Sequence, residues 1–231
     1  MIPLRDLNPS SRPPVVGYTL IVLNVLVFFV EISLEQQLPA FLKAFGFIPA
    51  RLTSALGSGD LLEAVLPLFT SMFLHGGWLH LIGNMWTLFI FGDNVEDSLG
   101  HGRFLLFYLA AGVLAGLSQF ATAPFSRIPI VGASGAIAGV MGAYFFLFPG
   151  ARVLTLIPIL FFLVIEVPAY VFLGFWFFLQ FYSGTASLAG GKAAGVAFWA
   201  HVGGFLAGVL LLLVMAPEKF REAWSRRVSR T

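Results

Sequence analysis

The sequence predicts an all-α integral membrane protein, a bundle of six transmembrane helices with a long external loop after the first. Three observations carry this. Of the 231 residues 58% are hydrophobic and only 10% are charged, against roughly 25% charged in soluble domains. Apolar segments near the ~20 residues that a bilayer core requires recur along the chain. The Lys and Arg residues sort unevenly between the segments that join them. The same composition argues against disorder and against a charged nucleic-acid module. With no Cys there is no disulfide framework, no thiolate nucleophile and no Cys-based metal site.

Residues 1–14 form an N-terminal segment ahead of the first span, 15–34, which is too long for a signal-peptide core and lacks a clear small-residue cleavage pattern. Five more spans are expected at about 78–91, 104–120, 134–148, 168–182 and 196–215, followed by a basic tail, 216–231. The loop from Glu35 to Gly77 mixes Pro, Gly, isolated charges and short apolar runs, and is expected to rest on or dip into the outer leaflet. The loop from Ser183 to Gly195 is rich in Gly, Ala and Ser, a flexible composition suited to a lid. Six spans put both termini on one side. Nine basic residues fall there (Arg5, Arg12, Arg103, Arg152, Lys219, Arg221, Arg226, Arg227, Arg230) and four on the other (Lys43, Arg51, Arg127, Lys192), which places both termini in the cytoplasm. The tail then reads as a topology anchor, not a nucleic-acid contact. No internal repeat of about 20–50 residues is evident, which weakens an inverted-repeat transporter reading.

Four polar side chains fall inside spans at similar depth on the outer side: His80, Asn84, Ser134 and His201. An unpaired polar group in hydrocarbon costs several kcal/mol, so these are expected to face one another or a water-filled cavity. His80 and Asn84 are i and i+4, on one helix face. Ser134 opens the fourth span, where free N–H groups and the positive helix end favour a developing negative charge. Gly135 and Gly139 on the fourth span, and Gly204 and Gly208 on the sixth, have the small-residue spacing that lets two helices touch backbone to backbone. This suits a serine nucleophile, Ser134, a histidine base, His201, and an oxyanion site that includes His80, Asn84 and the Ser134 N–H. The sixth span holds no Asp or Glu, so the pair reads as a dyad.

Singly, each of these residues is more often a packing or helix-bonding group; their joint depth shifts the balance. His75 is placed either in the same cavity or at the interface, and His101 in solvent. Asp93, Glu96 and Asp97 are read as a turn after the second span, and Glu166 as the inner edge of the fifth. Gly57-Ser58-Gly59-Asp60 matches the G-x-G-D string of intramembrane aspartyl proteases but lies in a polar loop, so a Gly-rich turn is the better reading. The absence of H-E-x-x-H, with histidines that come singly or without a carboxylate, argues against metal hydrolysis, and no metal or cofactor is expected.

Taken in order, Leu74-His75-Gly76-Gly77-Trp78-Leu79-His80-Leu81-Ile82-Gly83-Asn84, Phe91-Gly92 with Glu96, Gly132-Ala133-Ser134-Gly135 and Ala200-His201-Val202-Gly203-Gly204 resemble the rhomboid intramembrane serine proteases. The resemblance runs from roughly Pro67 to Gly208. It implies a six-helix core, a dyad at Ser134 and His201, oxyanion roles for His80 and Asn84, and water reaching the site from outside. It further implies single-span membrane proteins as substrates and no cofactor. The fifth span, around Phe175 to Phe178, and the loop from Ser183 to Gly195 would act as gate and cap. Two positions depart from the family pattern. Ala64-Val65-Leu66-Pro67 stands where many members carry a Trp-Arg pair, and Ala138 stands where several have a Tyr beneath the histidine. The anchoring of the first loop and the support of His201 are therefore left open. The reading from another class is a non-catalytic membrane chaperone or adaptor that grips transmembrane helices. A prokaryotic plasma membrane is the expected location.

Overall fold

The computed structural model describes residues 1–158, 163–190 and 196–228. All six segments expected as spans are helical: α1 (Val15–Ser33), α5 (Trp78–Leu99), α6 (His101–Thr122), α7 (Ser134–Leu147), α8 (Ala169–Gly190) and α9 (Phe198–Met215). Four of them, α1, α6, α8 and α9, are each long and apolar enough to cross a membrane. α5 reaches that standard only together with residues 65–73, from which it is bent by 91°. α7 has 14 residues, about 21 Å at 1.5 Å per residue, short of a ~30 Å hydrocarbon core. It lies innermost, and every residue from 135 to 144 is buried. Its first residue, Ser134, is only partly buried.

The glycines explain how α7 comes so close to its neighbours. A methyl group on Gly139 would lie 2.5 Å from the Ala111 Cβ of α6, and one on Gly204 or Gly208 would overlap the carbonyl oxygen of Gly135 or Gly139. Neither helix admits a side chain along that seam.

α1 begins after Pro14 with no capping side chain of its own. Its orphan N–H groups at Val16 and Gly17 donate instead to the Glu96 carboxylate, at 2.9 and 2.8 Å. This corrects the reading of Asp93, Glu96 and Asp97 as a turn. α5 continues through all three to Leu99, with Glu96 buried, and Asp97 accepts from the Ser11 N–H and hydroxyl. A carboxylate at a helix N-terminus satisfies orphan donors and the dipole together, which is why an acid is kept at this depth. His101 is also tied in, its Nδ1 2.5 Å from Glu96 Oε1 while half its side chain stays exposed.

The loop after α1 is folded into three short helices, α2 (Leu38–Phe45), α3 (Pro49–Ser58) and α4 (Leu61–Thr70). The G-x-G-D string is a pair of helix caps: Gly59 takes φ 81° to close α3, and the Asp60 side chain accepts from the Glu63 N–H at 3.1 Å to open α4. The loop is anchored without a Trp-Arg pair. Phe47 exchanges both backbone hydrogen bonds with Ile130 (3.0 and 2.7 Å). Phe47, Leu52, Ala55 and Leu68 form a small apolar cluster, and the Arg51 guanidinium donates to the carbonyls of Lys43 and Ala44.

To the all-α expectation the structure adds a three-stranded antiparallel sheet in the order β1 (Ile2–Asp6), β2 (Arg152–Ile157), β3 (Leu163–Pro168). Glu166, expected at the inner edge of the fifth span, sits in β3, opposite Leu154, just before α8 begins. The β-branched residues of β2 and β3 suit a pleated surface better than a helix. The sheet, the α5–α6 turn and α10 (Pro217–Val228) share one end of the bundle, where Arg103 meets Glu218 at 3.0 Å and Phe146 stacks on Phe220. α8 runs through Ser183 to Gly190, so the first part of the expected lid is helical; 191–195 lie outside the described residues.

Candidate active site

At the opposite end, Ser134 is the first residue of α7, so its N–H belongs to the set that has no partner within the helix. The approach to it is constrained by Gly132, whose φ of 123° disfavours any side chain and whose N–H donates to the Ser71 carbonyl at 2.9 Å. A methyl group there would lie 2.6 Å from His80 Nε2. Glycine thus lets the backbone before Ser134 pass directly beside the His80 ring.

Across the α7–α9 seam, His201 Nε2 lies 2.8 Å from Ser134 Oγ, a hydrogen bond of ordinary length. The approach is possible because the helices meet backbone to backbone one turn below. On α5, His80 Nδ1 accepts from the Gly76 N–H at 3.3 Å. In the neutral ring this leaves the proton on Nε2, the atom beside Gly132. Asn84, one turn on and buried, donates one amide hydrogen to His75 Nε2 at 3.0 Å, leaving its second for the cavity. The four polar residues singled out in the sequence line one cavity of about 520 Å³, together with Trp176 and Gln180. Gly135 borders it; Gly139, Gly204 and Gly208 lie deeper, in the helix contact.

His75, left between cavity and interface by the sequence, is only 2% exposed and stands behind Asn84. Its N–H donates to both oxygens of Glu31, at 3.1 and 3.2 Å. Glu31, at the end of α1, thereby holds the loop that introduces α5. Nothing in the spacing of Glu31 and His75 announces this contact, since 44 residues separate them.

Ala138 supplies no ring beneath His201. The imidazole is held from α8 instead. Trp176 lies against it, centroids 5.8 Å apart and planes at 36°, and Gln180 Oε1 lies 2.8 Å from its Nδ1. Sequence reasoning missed Gln180, although the signal was present: it is a polar residue within the apolar fifth span, the same test that selected the other four.

Together these groups can deliver an activated hydroxyl to a carbonyl carbon and offer N–H donors to the oxygen that becomes negative. A family model, the Rhomboid domain, matches residues 62–218. The chain is 37% identical over 135 residues to Rhomboid protease GluP of Bacillus subtilis, a match covering 58% of this chain and 25% of that protein. It is 40% identical over 80 residues to the Putative rhomboid protease YdcA of the same bacterium, covering 35% of this chain and 40% of the relative. With Rhomboid protein 1, mitochondrial, of Saccharomyces cerevisiae it shares 30% identity over 222 residues, 92% of this chain and 57% of that protein. The chain thus spans between 25% and 57% of the length of these relatives.

Proposed function

Because the chain belongs to the rhomboid family, we propose that it is an intramembrane serine endopeptidase that cleaves transmembrane segments of single-span membrane proteins. The observation that carries this is the 2.8 Å Ser134–His201 contact at the head of the innermost helix, facing a cavity that His80 and Asn84 also line. Ser134 Oγ attacks the scissile carbonyl carbon while His201 Nε2 takes the hydroxyl proton. The carbonyl oxygen, now negative, is received by His80 Nε2–H, the free Asn84 Nδ2–H and the Ser134 N–H, whose helix dipole has the matching sign. His201 then passes its proton to the leaving amine. Water, deprotonated by His201, releases the acyl group and regenerates Ser134. No cofactor enters the scheme.

The nine-to-four distribution of basic residues supports an orientation with both termini in the cytoplasm; two relatives are bacterial, which favours a prokaryotic plasma membrane, and the yeast relative is mitochondrial. The test uses folded, detergent-purified protein and a model single-span substrate. Ser134→Ala should abolish cleavage, and a fluorophosphonate should label the parent covalently at Ser134. Undiminished cleavage by the variant sinks the mechanism. A chaperone or adaptor would bind the substrate helix yet neither cleave it nor react with the probe.

A further inference from the structure

We propose that Gln180 is the third member of the site, a positioning residue that fixes the tautomer and orientation of His201 from α8. The inference rests on the Ser134–His201 reading and follows from hydrogen-bond inventory. To accept the Ser134 proton, His201 Nε2 must be the bare nitrogen, which puts the ring proton on Nδ1. Among the described residues that Nδ1–H has one side-chain partner, Gln180 Oε1 at 2.8 Å. The opposite amide orientation would set an NH₂ against an N–H and leave both unsatisfied, so Gln180 presents its oxygen.

The other determinants of the ring's pose lead back to the same helix. Trp176, four residues earlier on the same face of α8, covers one side of the imidazole. Position 138 on α7 holds only a methyl group. The histidine is therefore supported by an element that carries neither member of the dyad. α8 is also the least buried of the four long apolar helices. A neutral amide suits the depth. A carboxylate would stabilise the imidazolium more strongly but would require burial of a charge among apolar spans. His80 on α5 is the other titratable group near His201, and α9 contributes no acid.

The experiment compares parent, Gln180→Leu, Gln180→Glu and Ser134→Ala, each purified in detergent and matched in thermal unfolding. Gln180→Leu fills similar space without an acceptor, and kcat should fall on the order of 10- to 100-fold with KM within about threefold. Gln180→Glu keeps the acceptor and adds charge. It should retain activity within a few-fold, with the acid limb of the kcat/KM profile moved to higher pH because a neighbouring carboxylate favours the charged ring. Independently of activity, ¹⁵N-histidine spectra of the parent should show a protected Nδ1–H resonance, assigned by its loss in His201→Ala, that disappears in Gln180→Leu. A Gln180→Leu enzyme with kcat within twofold of the parent, or one that keeps the resonance, overturns the proposal. Equal losses in the Leu and Glu variants would assign Gln180 to packing and also overturn it. Cleavage by Ser134→Ala would instead refute the dyad itself, a result distinguishable from either.

Discussion

At the residue scale, the two side chains proposed to receive the oxyanion differ in how they are aimed. His80 is oriented by a single backbone bond from Gly76, whereas Asn84 is buried and fixed by His75, itself fastened to α1 through Glu31. Replacing His80 or Asn84 with Ala should each lower kcat by roughly 100- to 1000-fold, the range for loss of one oxyanion donor. Steady-state kinetics on a model substrate checks this; a change confined to KM would reassign the residue to substrate binding. Gly132→Ala should be at least as damaging, since the added methyl meets His80 Nε2 at 2.6 Å on a backbone of φ 123°. Folded protein, judged by thermal unfolding, with normal kcat would show that the loop before Ser134 moves freely.

At the element scale, the glycine seam and the Glu96 cap do different work. Gly208→Val forces a side chain onto the Gly139 carbonyl, and overpacking of this kind typically costs about 1–3 kcal/mol. It should also separate Ser134 from His201, so activity should fall further than the melting temperature alone accounts for. Glu96→Ala leaves the first N–H groups of α1 without their acceptor. A lost cap costs about 0.5–2 kcal/mol, and the thermal midpoint should drop while the fluorophosphonate still labels Ser134 in the surviving folded fraction, because Glu96 lies at the far end of α5.

For the whole molecule, the end that carries the termini is knit by groups that titrate. Tyr144, on α7, donates its hydroxyl to Asp6 of β1 at 2.8 Å, and burial raises the Asp6 carboxyl from 3.8 to about 6. A carboxyl raised on folding favours the folded state while protonated. Its contribution is present below pH 3.8 and is lost as pH rises through about 6. Detergent-solubilised protein should therefore lose thermal stability across that window, and Asp6→Asn should flatten the dependence. Equal slopes in the two proteins would remove Asp6 as its source. Orientation belongs to the same scale. The chain has no Cys, so single Cys residues introduced at Ser10 and Ser126 report sidedness without background. An impermeant maleimide applied to intact cells should modify position 126 and spare position 10.

The sequence by itself determined the apolar segments, their polar exceptions and the small-residue faces, because each is a periodic or compositional property written within one helix. Ser134, His80, Asn84 and His201 were identifiable for that reason: a polar group in an apolar run has an energetic cost visible without coordinates. Gln180 obeys the same rule, but its pairing with His201 is a contact between two helices that no spacing within one helix announces. What only the tertiary structure decided were contacts between distant segments. Glu96 serves a helix 79 residues away, Glu31 a loop 44 away, and in the β1–β2 pair Ile2 lies opposite Leu156. None has a local signature, since a carboxylate that caps another helix has the same neighbours in sequence as one that turns in solvent. Burial distinguishes the two, and burial is a property of the assembled molecule.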